Sequence, residues 1–286
     1  MNNFYRLSLV FLFALKSHIG FTQTDTIIKK RMVYGLGYSY LRFLDKQNSP
    51  LIYRGHLLSL NFGYEKVKPN KSIFNVNLNT VIGVTNSKHG WRKTWNYYDD
   101  KNGDPQEEYI TLIYPLYQID INTGYLYKVK TIFNDKTNIY IGGKIHEFFF
   151  INYLATWGIA MPAIFNELTL NPSFLIDFKL KQNTRISSSF SFPVFGLITR
   201  MPYSNDPITE NLGPFEGLFL KETGFTAINE YQRFDFELKY EKEINEKTNL
   251  RLSYRFYWFQ YPEHWPLHSY NNLLEIQFAR KLNYKK

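Results

Sequence analysis

The chain has 286 residues, enough for one large or two ordinary domains, and carries 34 Lys+Arg against 25 Asp+Glu for a net charge of +9 at pH 7. No run of five or more basic residues occurs, which excludes a nucleic-acid footprint. Aromatic residues make up 19% and Cys is absent, so the composition suits strands with one apolar face and excludes a disulfide framework.

In chain order, the first element is MNNFYRLSLVFLFALKSHIGFTQ. Arg6 precedes an apolar stretch from Leu7 to Leu15, and small residues follow at Gly20 and Thr22. This is the pattern of a secretory signal peptide over residues 1–22, cut between Thr22 and Gln23. The apolar run is shorter than the roughly 20 residues that a membrane-spanning helix needs. Cleavage removes Arg6 and Lys16 and no acid, leaving a mature domain over residues 23–286 with a charge of +7.

Beyond the leader, alternation of period two replaces helical periodicity and predicts about ten strands. They fall at residues 31–44, 53–66, 73–87, 109–129, 138–150, 168–180, 185–200, 231–243, 249–261 and 270–284. In the eighth, Phe234, Phe236, Leu238 and Tyr240 oppose Arg233, Asp235, Glu237, Lys239 and Glu241. In the ninth, Leu250, Leu252, Tyr254, Phe256 and Trp258 oppose Arg251, Ser253 and Arg255. Pro115, Pro172 and Pro193 lie inside these segments and imply bulges or kinks, because proline has no N–H to give the ladder. Residues 151–167 are apolar enough to form an additional hairpin, which gives twelve strands as the alternative.

The connections alternate in length. Short polar turns (KVKPNKS, FNDKTN, KQNT, INEKTN) follow the even strands, and long segments at 88–108, 151–167 and 201–230 follow odd ones. The cluster NDKTN recurs as NEKTN, and its Asn, Asp and Thr are the residues of a tight hairpin turn. Short turns at one end, long loops at the other and an even strand number describe an antiparallel up-and-down transmembrane β-barrel with both termini at the short-turn, periplasmic end. Ten strands enclose a narrow interior, so the large apolar residues are expected on the lipid face. Aromatics near strand ends (Tyr38, Tyr40, Tyr125, Tyr127, Trp258, Tyr261) are expected as interfacial girdles.

With these strands and turns, the mature chain resembles the small outer-membrane β-barrel proteins of Gram-negative bacteria, in particular porin-like barrels of unknown function. The resemblance implies an outer-membrane location, lipid bilayer and lipopolysaccharide as partners, and insertion by the outer-membrane machinery. The last strand, LLEIQFARKLNYKK, supplies Leu274, Ile276, Phe278, Leu282 and Tyr284 in one parity for recognition by that machinery, with Arg280 interrupting the row.

The polar faces collect charges of both signs. Asp120, Lys144, His146, Asp177, Arg233, Asp235, Glu237, Arg251, Arg255 and Glu275 are the candidate lumen residues, either as a self-neutralising network or as a charged constriction for a small solute. Asp100, Asn102, Asp104 and Glu108 echo the oxygen-ligand spacing of a calcium loop, although Pro105 stands where a glycine is usual. Lys88, His89, Arg92 and Lys93 interleave with Trp91 and Trp95, a pattern suited to lipopolysaccharide phosphates at a membrane surface. His268 and Ser269 are adjacent, so on a strand they point to opposite faces. No hydrolase or metal-cluster motif occurs, and the chain is read as a non-enzyme. Porin-like passage or binding of a small solute, gated by loops 88–108 and 201–230, is the expected function. A structural or surface-interaction barrel that displays those loops is the alternative, and a lipid- or peptide-modifying enzyme comes third.

Overall fold

The computed structural model describes residues 28–47, 51–69, 71–87, 91–95, 106–110, 113–133, 136–156, 159–201, 217–219, 222–262 and 265–282. The leader expected at residues 1–22 lies outside them. The strands are β1 Lys29–Asp45, β2 Ile52–Lys68, β3 Ser72–Ser87, β4 Trp91–Trp95, β5 Gln106–Ile110, β6 Ile113–Ile132 and β7 Thr137–Thr156. They continue with β8 Ile159–Lys181, β9 Thr184–Ser191, β10 Phe195–Arg200, β11 Thr223–Ala227, β12 Gln232–Asn245, β13 Thr248–Tyr261 and β14 Leu267–Lys281.

Ten of these strands form a closed antiparallel ring: β1, β2, β3, β6, β7, β8, β9, β12, β13 and β14, with β14 returning to β1. Each strand of the ring is paired on both sides, which is what a β-structure in a bilayer requires. Residues 151–167 do not add a hairpin to the ring. They lengthen β7 and β8, which pair without interruption from Thr137↔Phe178 to Thr156↔Ile159. Within the long connection at 88–108, β4 and β5 form a separate two-stranded sheet.

Alternation sorts the side chains as the sequence predicts, with the apolar row facing out. On β1, Tyr34, Leu36 and Tyr38 are exposed while Val33, Ser39, Leu41 and Phe43 are buried. Exposed rows of the same kind run down β14 (Leu274, Ile276, Phe278) and β6 (Tyr117, Ile119, Ile121, Tyr125, Tyr127). A water-soluble barrel would show the reverse arrangement. Tyr261 departs from its expected girdle position: it has the inward parity of β13 and is buried.

The recurrent polar cluster closes hairpins. Asn245 Oδ1 accepts hydrogen bonds from the backbone N–H groups of Lys247 and Thr248, both at 2.9 Å. In the earlier copy the chain turns at Phe133, whose φ is 54°, and the Lys136 N–H donates to the Phe133 carbonyl at 3.2 Å.

Two of the three prolines mark one defect in the wall. β9 pairs with β8 only as far as Ser173↔Ser191, and β10 resumes at Leu170↔Phe195. Pro172 and Pro193 both fall within this break, and each lacks the N–H that continuous pairing would use. The extra residue between the two pairings reverses the parity. Ser187, Ser189 and Ser191 share the inward parity of β9, whereas Gly196, Ile198 and Arg200 do so in β10. β11 then pairs with β10, and the turn at 228–230 leads into β12.

Candidate functional site

The lumen has two storeys. At the long-loop end, seventeen buried apolar side chains form one cluster inside the barrel, drawn from both ends of the chain. Phe43 of β1 meets Phe150 of β7 with ring centroids 5.3 Å apart, and Phe165 of β8 stacks on Phe259 of β13 at 5.4 Å. Rings therefore touch across the lumen and fill it. The expectation that large apolar residues all face lipid is corrected here. Runs such as EFFFINY are apolar in both parities, so Phe148 and Phe150 turn in while their neighbours turn out. An interior without water accepts such rings as readily as lipid does.

Arg233 is the floor of this plug. Its guanidinium carbon lies 4.8 Å from the ring centroids of both Phe148 and Tyr257. Its nitrogens donate to Asp235 through Nε and Nη2, both at 2.9 Å, and to Glu167 Oε1 through Nη1 at 2.7 Å. A guanidinium between aromatic faces gains cation–π attraction while its fork satisfies carboxylates at the edge. His146 sits beside it, with Nε2 3.2 Å from Asp120 Oδ1 and Nδ1 3.0 Å from Glu167 Oε1, close contacts without hydrogen-bond alignment. Arg255 reaches Asp120 at 3.7 Å and Glu237 at 3.8 Å.

A second knot lies toward the short-turn end. Arg251 holds Glu65 with two hydrogen bonds of 2.7 Å, and its Nε donates to Glu241. Glu241 also accepts from Arg31 at 2.9 Å, from Arg185 and from Asn249 at 2.6 Å. Between the knots, Glu275 is wholly buried and accepts from Ser59 at 2.9 Å, Asn79 at 2.8 Å and Gln277 at 2.8 Å. Gly37 makes room for it, because a Cβ there would stand 2.6 Å from the Glu275 Cγ.

The ten lumen candidates thus occupy one interior. Asp120, His146, Arg233, Asp235 and Arg255 gather under the plug. Arg251 joins the lower knot, and Glu275 stands between the two. Lys144 and Glu237 line the open shaft, with Asp177 nearer its mouth. Sequence parity put Glu241 on the polar face of its strand but left it, Glu167 and Arg31 out of the candidate set; only the fold shows that Glu167 and Arg233, 66 residues apart, share a bond. His268 and Ser269 lie on opposite faces of β14, Ser269 buried inside. Of the calcium candidates, Asp100, Asn102 and Asp104 fall outside the described residues, as does the side chain of Glu108. Most of loops 88–108 and 201–230 falls outside them too.

No protein-family model matches the sequence, and no curated protein is similar to it. Solved structures are similar in fold. The outer membrane protease OmpT of Escherichia coli matches with a TM-score of 0.53 at 5% identity, over 92% of this chain and 99% of that one. The translocator domain of the autotransporter NalP from Neisseria meningitidis gives 0.43 at 7% identity, over 97% and 96%. An outer membrane channel from Pseudomonas putida F1 gives 0.42 at 9% identity, over 92% and 98%. This chain has the fold of a Gram-negative outer-membrane β-barrel, and its place is the outer membrane.

The comparison also corrects the reading of the chain as a non-enzyme. A barrel of this fold is a protease in Escherichia coli. Catalytic groups in a barrel come from separate strands, so the absence of a linear motif excludes nothing.

The lipid face carries one acid of consequence. Glu147 of β7 points outward between Ile121 and Leu168 and is exposed. Glu147→Leu is expected to stabilise the barrel by about 1 kcal/mol, since a carboxylate facing lipid is unfavourable. Urea unfolding in phospholipid vesicles reads this out, and a lower midpoint in the variant would contradict it.

Proposed function

We propose that this outer-membrane barrel works closed, as a rigid surface-interaction scaffold, and not as an open pore. The observation that carries this reading is the plug: side chains such as Phe148, Phe259 and Leu116 bring the long-loop end of the lumen to interior packing, each 1% exposed or less. Porin-like passage would require these rings to leave the lumen together. The long connections emerge at the same end, where β7 and β8 also reach their full 20 and 23 residues.

Lipopolysaccharide is the partner proposed for the outer collar. Arg42 and Arg54 stand directly opposite one another on β1 and β2 with outward parity, and Arg42 donates to the Tyr270 hydroxyl at 3.2 Å. Like charges in direct opposition are unfavourable unless an anion lies between them. For assembly, the outward row Leu274, Ile276, Phe278 on the last strand supports recognition by the insertion machinery.

Planar-bilayer recording tests the closed state. Purified protein inserted into the bilayer is expected to give no current steps above leak at any applied voltage. Stable, reproducible steps would overturn the proposal in favour of porin-like passage.

A further inference from the structure

Below the plug the interior is not full. Three cavities share lining residues in sequence: Lys144 and Arg251 belong to the first and third, Tyr140 and Asp177 to the third and second. Together they form one shaft that widens to about 300 Å³ at the periplasmic mouth, beside Lys29, Lys179 and Arg185. The plug closes it above, so it is a vestibule with a single entrance.

Ion pairing leaves this vestibule with more free cations than free acids: among the described residues Asp177 is the lining carboxylate without an ion pair, against three such lysines. Glu65 and Glu241 are taken up by arginines, Glu237 by Lys239 at 2.8 Å, and Glu243 by Lys281 at 2.7 Å. Among the described residues, no carboxylate lies within ion-pair distance of Lys144, Lys29 or Lys179. Lys144 is the deepest of the three. It stands in a register row that crosses four strands: Asn75, Gly124, Lys144, Asn171.

This row is built like a binding site. Gly124 lets Asn75 and the lysine stem close over its backbone, since a Cβ there would meet Lys144 Cγ at 2.9 Å and Asn75 Oδ1 at 2.5 Å. The side-chain oxygens of Asn75 and Asn171 are buried without a hydrogen-bond partner. Such atoms are rare in folded proteins and, being acceptors, point to a missing donor, which the P–OH of a protonated phosphate supplies. Ser189 and Ser191 of β9, one strand beyond β8, line the same cavity. An ammonium, reorientable amides and hydroxyls thus converge from neighbouring strands. Donors from the ammonium and hydroxyls, with amide acceptors beside them and not in one plane, suit a tetrahedral hydrogen phosphate, which both accepts and donates, better than a flat carboxylate.

We propose that the periplasm-facing vestibule binds a small phosphate-bearing anion, held at depth by Lys144 with Asn75, Ser189 and Ser191, and drawn in by Lys29 and Lys179 at the mouth. The site stands whether or not the plug opens. Inorganic phosphate is the probe, titrated calorimetrically into the full-length barrel in phosphatidylcholine nanodiscs at low ionic strength, where exposed charges are least screened. One saturable site per barrel is expected. Lys144→Gln should weaken it about tenfold or more, Lys144→Arg should retain it, and Lys66→Gln on the outer wall should leave it unchanged. If Lys144→Gln does not fold, Lys179→Gln must still lower the affinity. Absence of saturable binding, equal affinity in Lys144→Gln, or displacement by succinate as effective as by phosphate itself would each overturn the proposal.

Discussion

Glu241→Gln is expected to destabilise the barrel by about 3–5 kcal/mol, among the largest effects of any single substitution. Glutamine keeps the shape and the bond from Asn249, so the change isolates the charge. Arg31, Arg185 and Arg251 all converge on this one carboxylate, whose side chain is 8% exposed. Arg251 retains Glu65, but Arg185 then has no acid within ion-pair distance among the described residues, and Arg31 keeps only Glu65 at 3.7 Å. Three guanidinium groups in a confined interior repel one another once the anion between them is gone. The control is Glu243→Gln, which breaks the pair with Lys281 at the mouth, where the glutamate side chain is 33% exposed. That pair is worth roughly 1 kcal/mol or less. Urea unfolding and the temperature of the heat-modifiable gel shift measure both variants, and equal losses would show that the knot is no stronger than a surface pair.

Arg233→Met is expected to cost a similar amount, for a different reason. The methionine replaces most of the volume between Phe148 and Tyr257 but leaves Glu167, whose side chain is 0% exposed, without its bond of 2.7 Å. An unpaired buried carboxylate is the dominant penalty, of the order of 3–5 kcal/mol. Asp235 also loses its two bonds but is 19% exposed, so adding Glu167→Gln to Arg233→Met removes the deeper of the two stranded charges and should recover at least about half of the loss. The double-mutant cycle then yields a coupling energy of about 2 kcal/mol or more. Simple additivity of the two single changes would place the cost in ring packing instead.

The parts of this molecule that follow from local pattern were legible in the sequence. Period-two alternation in Phe234–Glu241 and Leu250–Trp258 gives strands and faces, and the NEKTN cluster gives a tight hairpin, because its Asn245 bonds depend only on neighbours. The outward apolar face and the charged inner positions follow from the same parity. What the alternation hides is which storey a residue occupies. Phe148 and Phe150 share the parity of the lumen candidates Lys144 and His146, but their neighbours Phe149 and Ile151 are equally apolar, and only closure of the ring shows that Phe43, Phe165 and Phe259 meet them. The knots were hidden for a related reason. Glu241 and Arg31 stand 210 residues apart, and no spacing rule connects strands that meet across a lumen. The break at Pro172 and Pro193 lies between these cases: each proline signals a fault, but only the pairing shows that the two are one fault.

That break makes β9 and β10 two independent modules on one strand. Below it the register is locked by pairing on both sides, to β8 and to β12; above it β10 answers only to β8 and β11. One added or lost residue between Ser191 and Phe195 would exchange Ile198 and Thr199 between lumen and exterior while leaving every bond of the lower ladder in place. Small insertions and deletions there would therefore trade Ile198 out of the plug, and the ladder below the break would keep its register.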